Sequence, residues 1–116
     1  MIRSPDAMAT EVRDQMRGGQ GRITVQHYFA PAEFGARMRL CARLTIPPGA
    51  SIGEHDHARE DEIYLVLSGT GMVQENGAHT RVNAGDAVLT GKGGRHAVVN
   101  DGSVPLVIAA IIILYP

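Results

Sequence analysis

Short apolar or alternating segments, separated by evenly spaced chain breakers, follow one another along most of this sequence. The breakers are pairs of glycine, proline or asparagine such as Pro47-Pro48, Asn76-Gly77 and Gly93-Gly94. Segments of this length between turn residues are typical of an all-β sandwich or barrel, and no amphipathic helix of ordinary length is visible. The pattern predicts strands at Arg22–Phe29, Ala36–Ile46, Ile52–His57, Ile63–Leu67, Gly71–Glu75, Thr80–Val82, Ala87–Leu89, His96–Val99 and Leu106–Leu114.

Residues 1–21 differ from the rest because they show no clear hydrophobic pattern and become glycine-rich toward their end. We therefore predict an extended N-terminal arm over residues 1–21, which wraps the barrel or a partner subunit. One barrel domain over residues 22–116 follows it. A chain of 116 residues is close to the commonest size for a single domain.

The last predicted strand is apolar at every position from Leu106 to Leu114. A strand that is apolar on both faces must be covered on both faces. In a small barrel one face points to the core, so the other needs a second sheet or a second subunit. We expect a homodimer, because an apolar face left bare would promote aggregation.

The composition excludes several classes of partner. Eleven basic and twelve acidic residues give a formal net charge of −1, so neither nucleic acid nor an anionic membrane is expected. Aromatic residues make up only 4% of the chain and tryptophan is absent, which leaves no platform for stacking bases. The single cysteine, Cys41, excludes an intramolecular disulfide, and no signal peptide is visible. We therefore expect a cytoplasmic protein that binds a small molecule.

Three histidines and one glutamate are candidate metal ligands. They occur in two spaced motifs: Gly49-x5-His55-x-His57-x4-Glu62-x6-Gly69 and Gly85-x7-Gly93-x2-His96-x3-Asn100. His55 and His57 are two residues apart, so on a strand both side chains point to the same face. The next strand can return Glu62 to that pocket, and a later strand can add His96. The alternative interpretation is a set of surface histidines beside a solvated acidic turn.

Three neutral imidazoles and one carboxylate suit Mn, Fe, Co, Ni or Zn, whereas Ca and Mg prefer ligand sets made of oxygen. We therefore predict one divalent transition metal per chain, bound by His55, His57, Glu62 and His96. On a six-coordinate metal, four protein ligands leave two positions free. A bidentate acid, an enediol or dioxygen can bind there.

Both motifs resemble those of the cupins. The first matches the family pattern G-x5-H-x-H-x3,4-E-x6-G in full, and the second matches G-x5-P-x-G-x2-H-x3-N except at its proline. The matched region, Gly49–Asn100, makes up a little under half of the chain. The resemblance implies a double-stranded β-helix barrel, also called a jelly roll, and the same four metal ligands.

The second motif departs from the family pattern at Gly91, which stands where the proline is expected. Glycines allow this loop more freedom, which suggests either a lid that carries Lys92 or Arg95 over an anionic substrate or an exposed basic turn. Tyr64 shares a strand face with Glu62 and is placed to donate a hydrogen bond to a ligand. Our candidate catalytic residues are therefore Tyr64, Lys92 and Arg95.

Two functions follow from this site. The first is a metal-dependent enzyme that acts on a small oxygen-rich acid or a sugar-like molecule. Cupin dioxygenases, decarboxylases, lyases and isomerases have similar sites, and the residues around the metal decide among these reactions. The alternative is a non-catalytic module that binds a sugar or an organic acid. A purely structural metal is disfavoured, because structural sites are usually closed by their ligands.

Overall fold

The computed structural model describes residues 1–116 and contains two antiparallel sheets, so the predicted all-β fold is confirmed. The only helical segments are the short 3-10 turns Pro5–Ala7, Met16–Gly18 and Pro31–Glu33. None of these turns has the length and apolar character of a membrane-spanning helix. The strands are β1 (Thr10–Asp14), β2 (Arg22–His27), β3 (Met38–Ile46), β4 (Ser51–Asp56), β5 (Glu60–Ser68), β6 (Thr70–Glu75), β7 (Ala78–Asn83), β8 (Ala87–Thr90), β9 (Arg95–Val99) and β10 (Leu106–Leu114).

The larger sheet has the strand order β1-β2-β3-β10-β5-β8, and the smaller one has the order β4-β9-β6-β7. Several neighbouring strands, such as β3 and β10, β10 and β5, and β4 and β9, are distant in sequence, as is usual in a jelly-roll barrel. Apolar side chains from the inner faces of both sheets pack into one core of 17 buried residues. Full burial of one Leu or Ile side chain contributes about 1.5–3 kcal/mol, so these alternating positions hold the two sheets together.

Strand β10 forms the centre of the larger sheet, between β3 and β5. Its inward residues, Leu106, Ile108, Ala110 and Ile112, are buried, while its outward residues are covered only in part. Ile112 lies opposite Glu62 in the register between β10 and β5. The register between β10 and β5 therefore sets the position of Glu62 along the barrel.

Strand β5 begins at Glu60, three residues before the start that the sequence pattern predicts. The preceding turn includes Arg59 at a φ of 59°, and the chain becomes extended directly after it. Glu60 and Glu62 therefore lie on the strand, and both are buried. Glu60 and Glu62 therefore lie in the barrel interior and not in a solvated turn, while Asp61 between them faces outward.

Residues 1–21 contain a strand that the sequence pattern does not predict. Strand β1 pairs with β2 along the edge of the larger sheet, with Val12 opposite Thr24. Four of its five residues are exposed, so it has no buried face that could produce a hydrophobic alternation. Beyond β1, the turn Met16–Gly18 packs against β4, which carries the first candidate ligands.

Candidate metal centre

A β-bulge in β4 aims the first ligands into the barrel. Ile52 pairs with Val98 and His55 pairs with His96, so β4 has one more residue than β9 between these two pairs. Ile52 is 1% exposed, and without the bulge His55 would point to the opposite face because the side-chain period of a strand is two. The extra residue restores an inward direction for His55 and, two residues later, for His57.

Four side chains from three strands and one turn converge inside the barrel. Nε2 of His57 lies 2.8 Å from Nε2 of His96, which lies 3.1 Å from Nε2 of His55. Oε1 of Glu62 is 3.0 Å from Nε2 of His57 and 2.9 Å from Nε2 of His96. All four ligand atoms lie within 4.8 Å of one another. His57, Glu62 and His96 are buried, and His55 is partly covered.

The outer nitrogen of each imidazole has its own partner. Nδ1 of His55 donates to the carbonyl oxygen of Gly53 at 2.7 Å, and Nδ1 of His57 donates to the carboxylate of Glu60 at 2.8 Å. Both acceptors lack a proton, so each neutral ring carries its proton on Nδ1 and leaves Nε2 with a lone pair.

The third imidazole, that of His96, is held in the same tautomer by the hydroxyl group of Thr90. The Thr90 hydroxyl donates to Oε2 of Glu75 at 2.9 Å, so its lone pair accepts from Nδ1 of His96 at 3.0 Å. Nε2 of His96 therefore also carries a lone pair in the neutral ring. Partners of this kind typically hold metal-binding histidines in their tautomer and raise their basicity.

The charges at this site favour a cation. Burial opposes ionisation of Glu62, but hydrogen bonds to the three imidazoles hold the pKa of this carboxyl well below its usual range. Burial alone would lower the pKa of His57, and the Glu62 and Glu60 carboxylates raise it above its usual value. Three nitrogen lone pairs and one carboxylate oxygen thus point at a common centre. This donor set fits a divalent transition metal.

A cavity of about 180 Å³ opens onto this cluster. Its polar walls include Arg13, Arg17 and Arg39, and Tyr64 lies deeper in the site. The apolar part of the wall consists of Met16, Pro31, Leu40 and Ile112. A larger groove of about 550 Å³ lies between β7 and β8, but it contains no cluster of ligand atoms.

Tyr64 lies at the cluster, on the strand face that the sequence pattern predicts. Its ring stacks on the His96 ring at 4.9 Å between centroids, and its hydroxyl is 3.5 Å from Nε2 of His96. Burial and the neighbouring Glu62 carboxylate raise the pKa of Tyr64 well above its usual value, while the charge of Arg17 offsets part of this rise. The phenol therefore keeps its proton at neutral pH.

Lys92 and Arg95 do not line this cavity. Arg95 lies on the outside of the barrel, where its guanidinium is 3.4 Å from the Glu54 carboxylate. The backbone N–H of Lys92 donates to the Tyr115 hydroxyl at 2.8 Å. A Cβ atom at Gly91 would collide with the Asp61 carboxylate, so a side chain at the family's proline position would require Asp61 to move.

Several residues of this site carry no recognisable signal in the sequence. Glu60 and Thr90 orient two of the histidines, and Arg39 binds Glu60 through two hydrogen bonds of 2.9 and 2.7 Å. Arg17 comes from the arm, where no hydrophobic pattern locates it. A charged residue three positions from a ligand is the only hint for Glu60, whereas Thr90 and Arg17 are recognisable only after the chain has folded.

Comparison with known proteins agrees with this geometry. The family model described as the cupin domain matches residues 42–113. An oxalate-binding protein of Thermotoga maritima is 36% identical over 114 residues, which cover 98% of this chain and 93% of that protein. Tetracenomycin polyketide synthase protein TcmJ of Streptomyces glaucescens is 28% identical over 99 residues, or 85% of this chain and 64% of that protein.

Among solved structures, that of a predicted oxalate decarboxylase from Thermotoga maritima superposes with a TM-score of 0.94 at 36% identity. The match covers 98% of this chain and 99% of that chain. The family model spans more than half of the sequence, the relative is similar over nearly its whole length, and both cupin motifs are present. The chain therefore belongs to the cupin family.

Proposed function

We propose that this cupin binds one divalent transition metal through His55, His57, Glu62 and His96 and uses it to bind a small dicarboxylate of the oxalate type. The observation that carries the proposal is the convergence of four ligand atoms at the base of a small cavity lined by arginines. When bound, the metal supplies a Lewis-acidic centre for carboxylate oxygens. The chain's own residues then determine which acid fits.

The size and charge of the cavity support a small anion. A volume of about 180 Å³ is below the roughly 300–1,000 Å³ of pockets that hold drug-sized ligands, which suits a molecule with few heavy atoms. Among the three arginines of the walls, Arg17 has no carboxylate partner, and the only carboxylate among the lining residues is the candidate ligand Glu62. The only other polar side chains of the walls, apart from the candidate ligands, are His27 and Tyr64, which are few for a sugar with several hydroxyl groups. The relative named as an oxalate-binding protein supports oxalate itself as the first acid to test.

Decarboxylation of the bound acid is the second candidate function, and Tyr64 is the observation that favours it. Conversion of oxalate to formate and carbon dioxide consumes one proton and requires no net oxidant. The Tyr64 hydroxyl holds a proton next to the cluster, because its pKa is raised well above the usual value. The relative described as a predicted oxalate decarboxylase supports the same reaction.

We also propose that two copies of the chain associate through the outer face of the larger sheet. Leu65, Leu67, Leu89 and Ile113 are 39–64% exposed on the neighbouring strands β5, β8 and β10. This aliphatic patch, at the β8 end of the sheet, has no polar groups to bind a polar partner, whereas a second copy presents the same aliphatic surface. A two-fold contact of this kind covers both patches at once.

Isothermal titration calorimetry tests the proposed function. Protein stripped with chelator and reloaded with Mn²⁺ or Co²⁺ is titrated with oxalate, with acetate and glucose as comparison ligands. We expect oxalate to bind to the loaded protein, and we expect no binding to metal-free protein or to the His96→Ala variant. A formate assay on the same samples separates binding from decarboxylation. A loaded wild-type protein that does not bind oxalate would contradict the proposal.

A further inference from the structure

Of the three arginines that line the cavity, only Arg17 has no carboxylate partner. Arg13 is 2.7 Å from the Glu11 carboxylate, and Arg39 binds Glu60 through two hydrogen bonds. The side chain of Arg17 makes no ion pair or hydrogen bond within the chain, although it lies on the cavity wall. The positive charge of Arg17 is therefore free to pair with a bound ligand.

The backbone around Arg17 adopts an unusual conformation. Gln15 and Arg17 have φ values of 47° and 55°, in the left-handed region that residues other than glycine seldom occupy. Such conformations persist only where the surrounding structure holds them, and they cluster at binding and active sites. Arg17, one of these two left-handed residues, is also the cavity arginine that has no carboxylate partner.

The turn that carries Arg17 is held tightly against the strand that carries His55. A Cβ atom at Gly53 would collide with the carbonyl oxygen of Arg17, and one at Gly19 would collide with the carbonyl oxygen of Ser51. Two hydrogen bonds of 2.9 Å join the backbone of Gln20 to Ser51. The turn and β4 thus approach so closely that a residue with a side chain would not fit at position 19 or 53.

Gly53 links the turn to the candidate metal ligands. Its carbonyl oxygen accepts the hydrogen bond from Nδ1 of His55 at 2.7 Å, and its missing side chain leaves room for Arg17. The guanidinium of Arg17 also acts electrostatically on the buried Tyr64 hydroxyl, so its charge reaches the interior of the site. One residue therefore fixes the position of Arg17 relative to the ligand cluster.

We propose that Arg17 binds the outer carboxylate oxygens of the acid held at the cluster and makes the site select dicarboxylates over monocarboxylates. This inference rests on the proposed function. A guanidinium matches a carboxylate with two parallel hydrogen bonds, and such charge-assisted pairs are stronger than neutral ones. An acid with one carboxylate uses that group at the metal and leaves Arg17 without a partner.

The test compares oxalate and acetate affinities of the metal-loaded protein by calorimetry. Arg17→Asn removes the charge and keeps a residue that tolerates positive φ, while Arg17→Lys keeps the charge but loses the planar pair of donors. Arg22→Gln is the matched control, because Arg22 is exposed, pairs with Asp14 and does not line the cavity. Metal content is measured for every variant by elemental analysis.

We expect Arg17→Asn to weaken oxalate binding about 10- to 100-fold, with a smaller effect on acetate and unchanged metal content. Arg17→Lys should restore part of the loss, and Arg22→Gln should match the wild type. Wild-type affinity for oxalate in Arg17→Asn would overturn the inference and leave the proposed function intact. Loss of metal from Arg17→Asn would also overturn it, because Arg17 would then act on the metal site. Failure of the loaded wild type to bind oxalate would overturn both.

Discussion

Nδ1 of His96 lies 3.0 Å from the hydroxyl oxygen of Thr90, and both residues are buried. The two residues are on different sheets, since Thr90 ends β8 and His96 lies in β9. The hydroxyl donates onward to Glu75, so a short chain of hydrogen bonds leads from the candidate metal ligand toward the groove between β7 and β8. The orientation of a ligand on one sheet thus depends on a side chain of the other.

Replacement of Thr90 by Val tests this dependence. Valine keeps the shape of threonine but cannot accept the hydrogen bond from Nδ1 of His96. We expect metal affinity to fall about 10- to 100-fold, as is usual when the partner of a ligating histidine is removed. Competition with a chelator of known affinity measures the change. Thr90→Ser keeps the hydroxyl and should stay close to wild type, so equal losses in both variants would assign Thr90 a packing role only.

Removal of the candidate carboxylate ligand should weaken metal binding without unfolding the barrel. We expect Glu62→Ala to retain less metal than the wild type, because the site loses one of four ligand atoms and its negative charge while three imidazoles remain. Glu54→Ala, which removes an exposed carboxylate on the neighbouring strand, is the control and should keep full metal content. Elemental analysis after dialysis gives the comparison. Full occupancy in Glu62→Ala would exclude Glu62 from the ligand set.

Burial opposes a charge on His57, but the Glu62 and Glu60 carboxylates raise its pKa above the usual value, so we expect metal binding to depend on pH through this residue. A raised pKa means that protonated His57 stabilises the metal-free fold below about pH 6.5, and that this contribution is lost as pH rises through the folded-state pKa. The metal binds only the neutral imidazole, so its affinity should increase as pH rises through the same interval.

Scanning calorimetry with and without Co²⁺ measures this coupling. We expect the rise in melting temperature caused by the metal to be larger at about pH 8 than at about pH 6. A rise that is equal at both pH values would show that no imidazole loses a proton on binding.

Charge placed on the outer face of the larger sheet should separate the proposed dimer. We expect the double variant Leu65→Lys, Leu89→Lys to elute as a single chain of 12.4 kDa, while the wild type has twice that mass by light scattering. Val104→Lys is the control, because Val104 is 53% exposed but lies in the loop before β10 rather than on this face. A wild type that is monomeric at high concentration would contradict the proposal.

Asn100, the last residue of the second cupin motif, has a structural role. It is fully buried, and its amide donates to the carbonyl oxygens of Ile46 and Val104, each at 2.8 Å. We expect Asn100→Ala to lower the free energy of unfolding by about 2–4 kcal/mol, because two carbonyl groups lose their partner. Urea denaturation of metal-free protein measures this loss. Asn83→Ala changes an exposed asparagine and should cost much less.

The sequence predicts the barrel strands well, because their buried faces impose an alternation between turn residues. Strand β1 escapes prediction for the opposite reason, since it lies at a sheet edge and nearly all of its residues are exposed. In a regular strand, the alternation of side chains would place Ile52 and His55 on opposite faces. In the structure both side chains point inward because of the bulge between them. A bulge cannot be recognised reliably in a single sequence.

The candidate ligands could be predicted because their spacing follows from strand geometry, whereas the cavity wall could not. Lys92 and Arg95 are close to His96 in the sequence, but their loop turns away from the cavity. Arg17 is 38 residues before His55 in the sequence and reaches the site through the contact between its turn and Gly53. That contact is a property of the folded backbone, so sequence distance gives no indication of it.

The separation of Arg17 from the ligand strands has an evolutionary consequence. The barrel carries the candidate metal ligands, while the segment ahead of it supplies Arg17, the cavity arginine that has no carboxylate partner. If Arg17 selects the acid as proposed, a change at this position alters ligand preference and keeps all four candidate metal ligands, which lie outside the segment. Related chains can therefore differ in ligand preference through this short segment and still share the same candidate metal site.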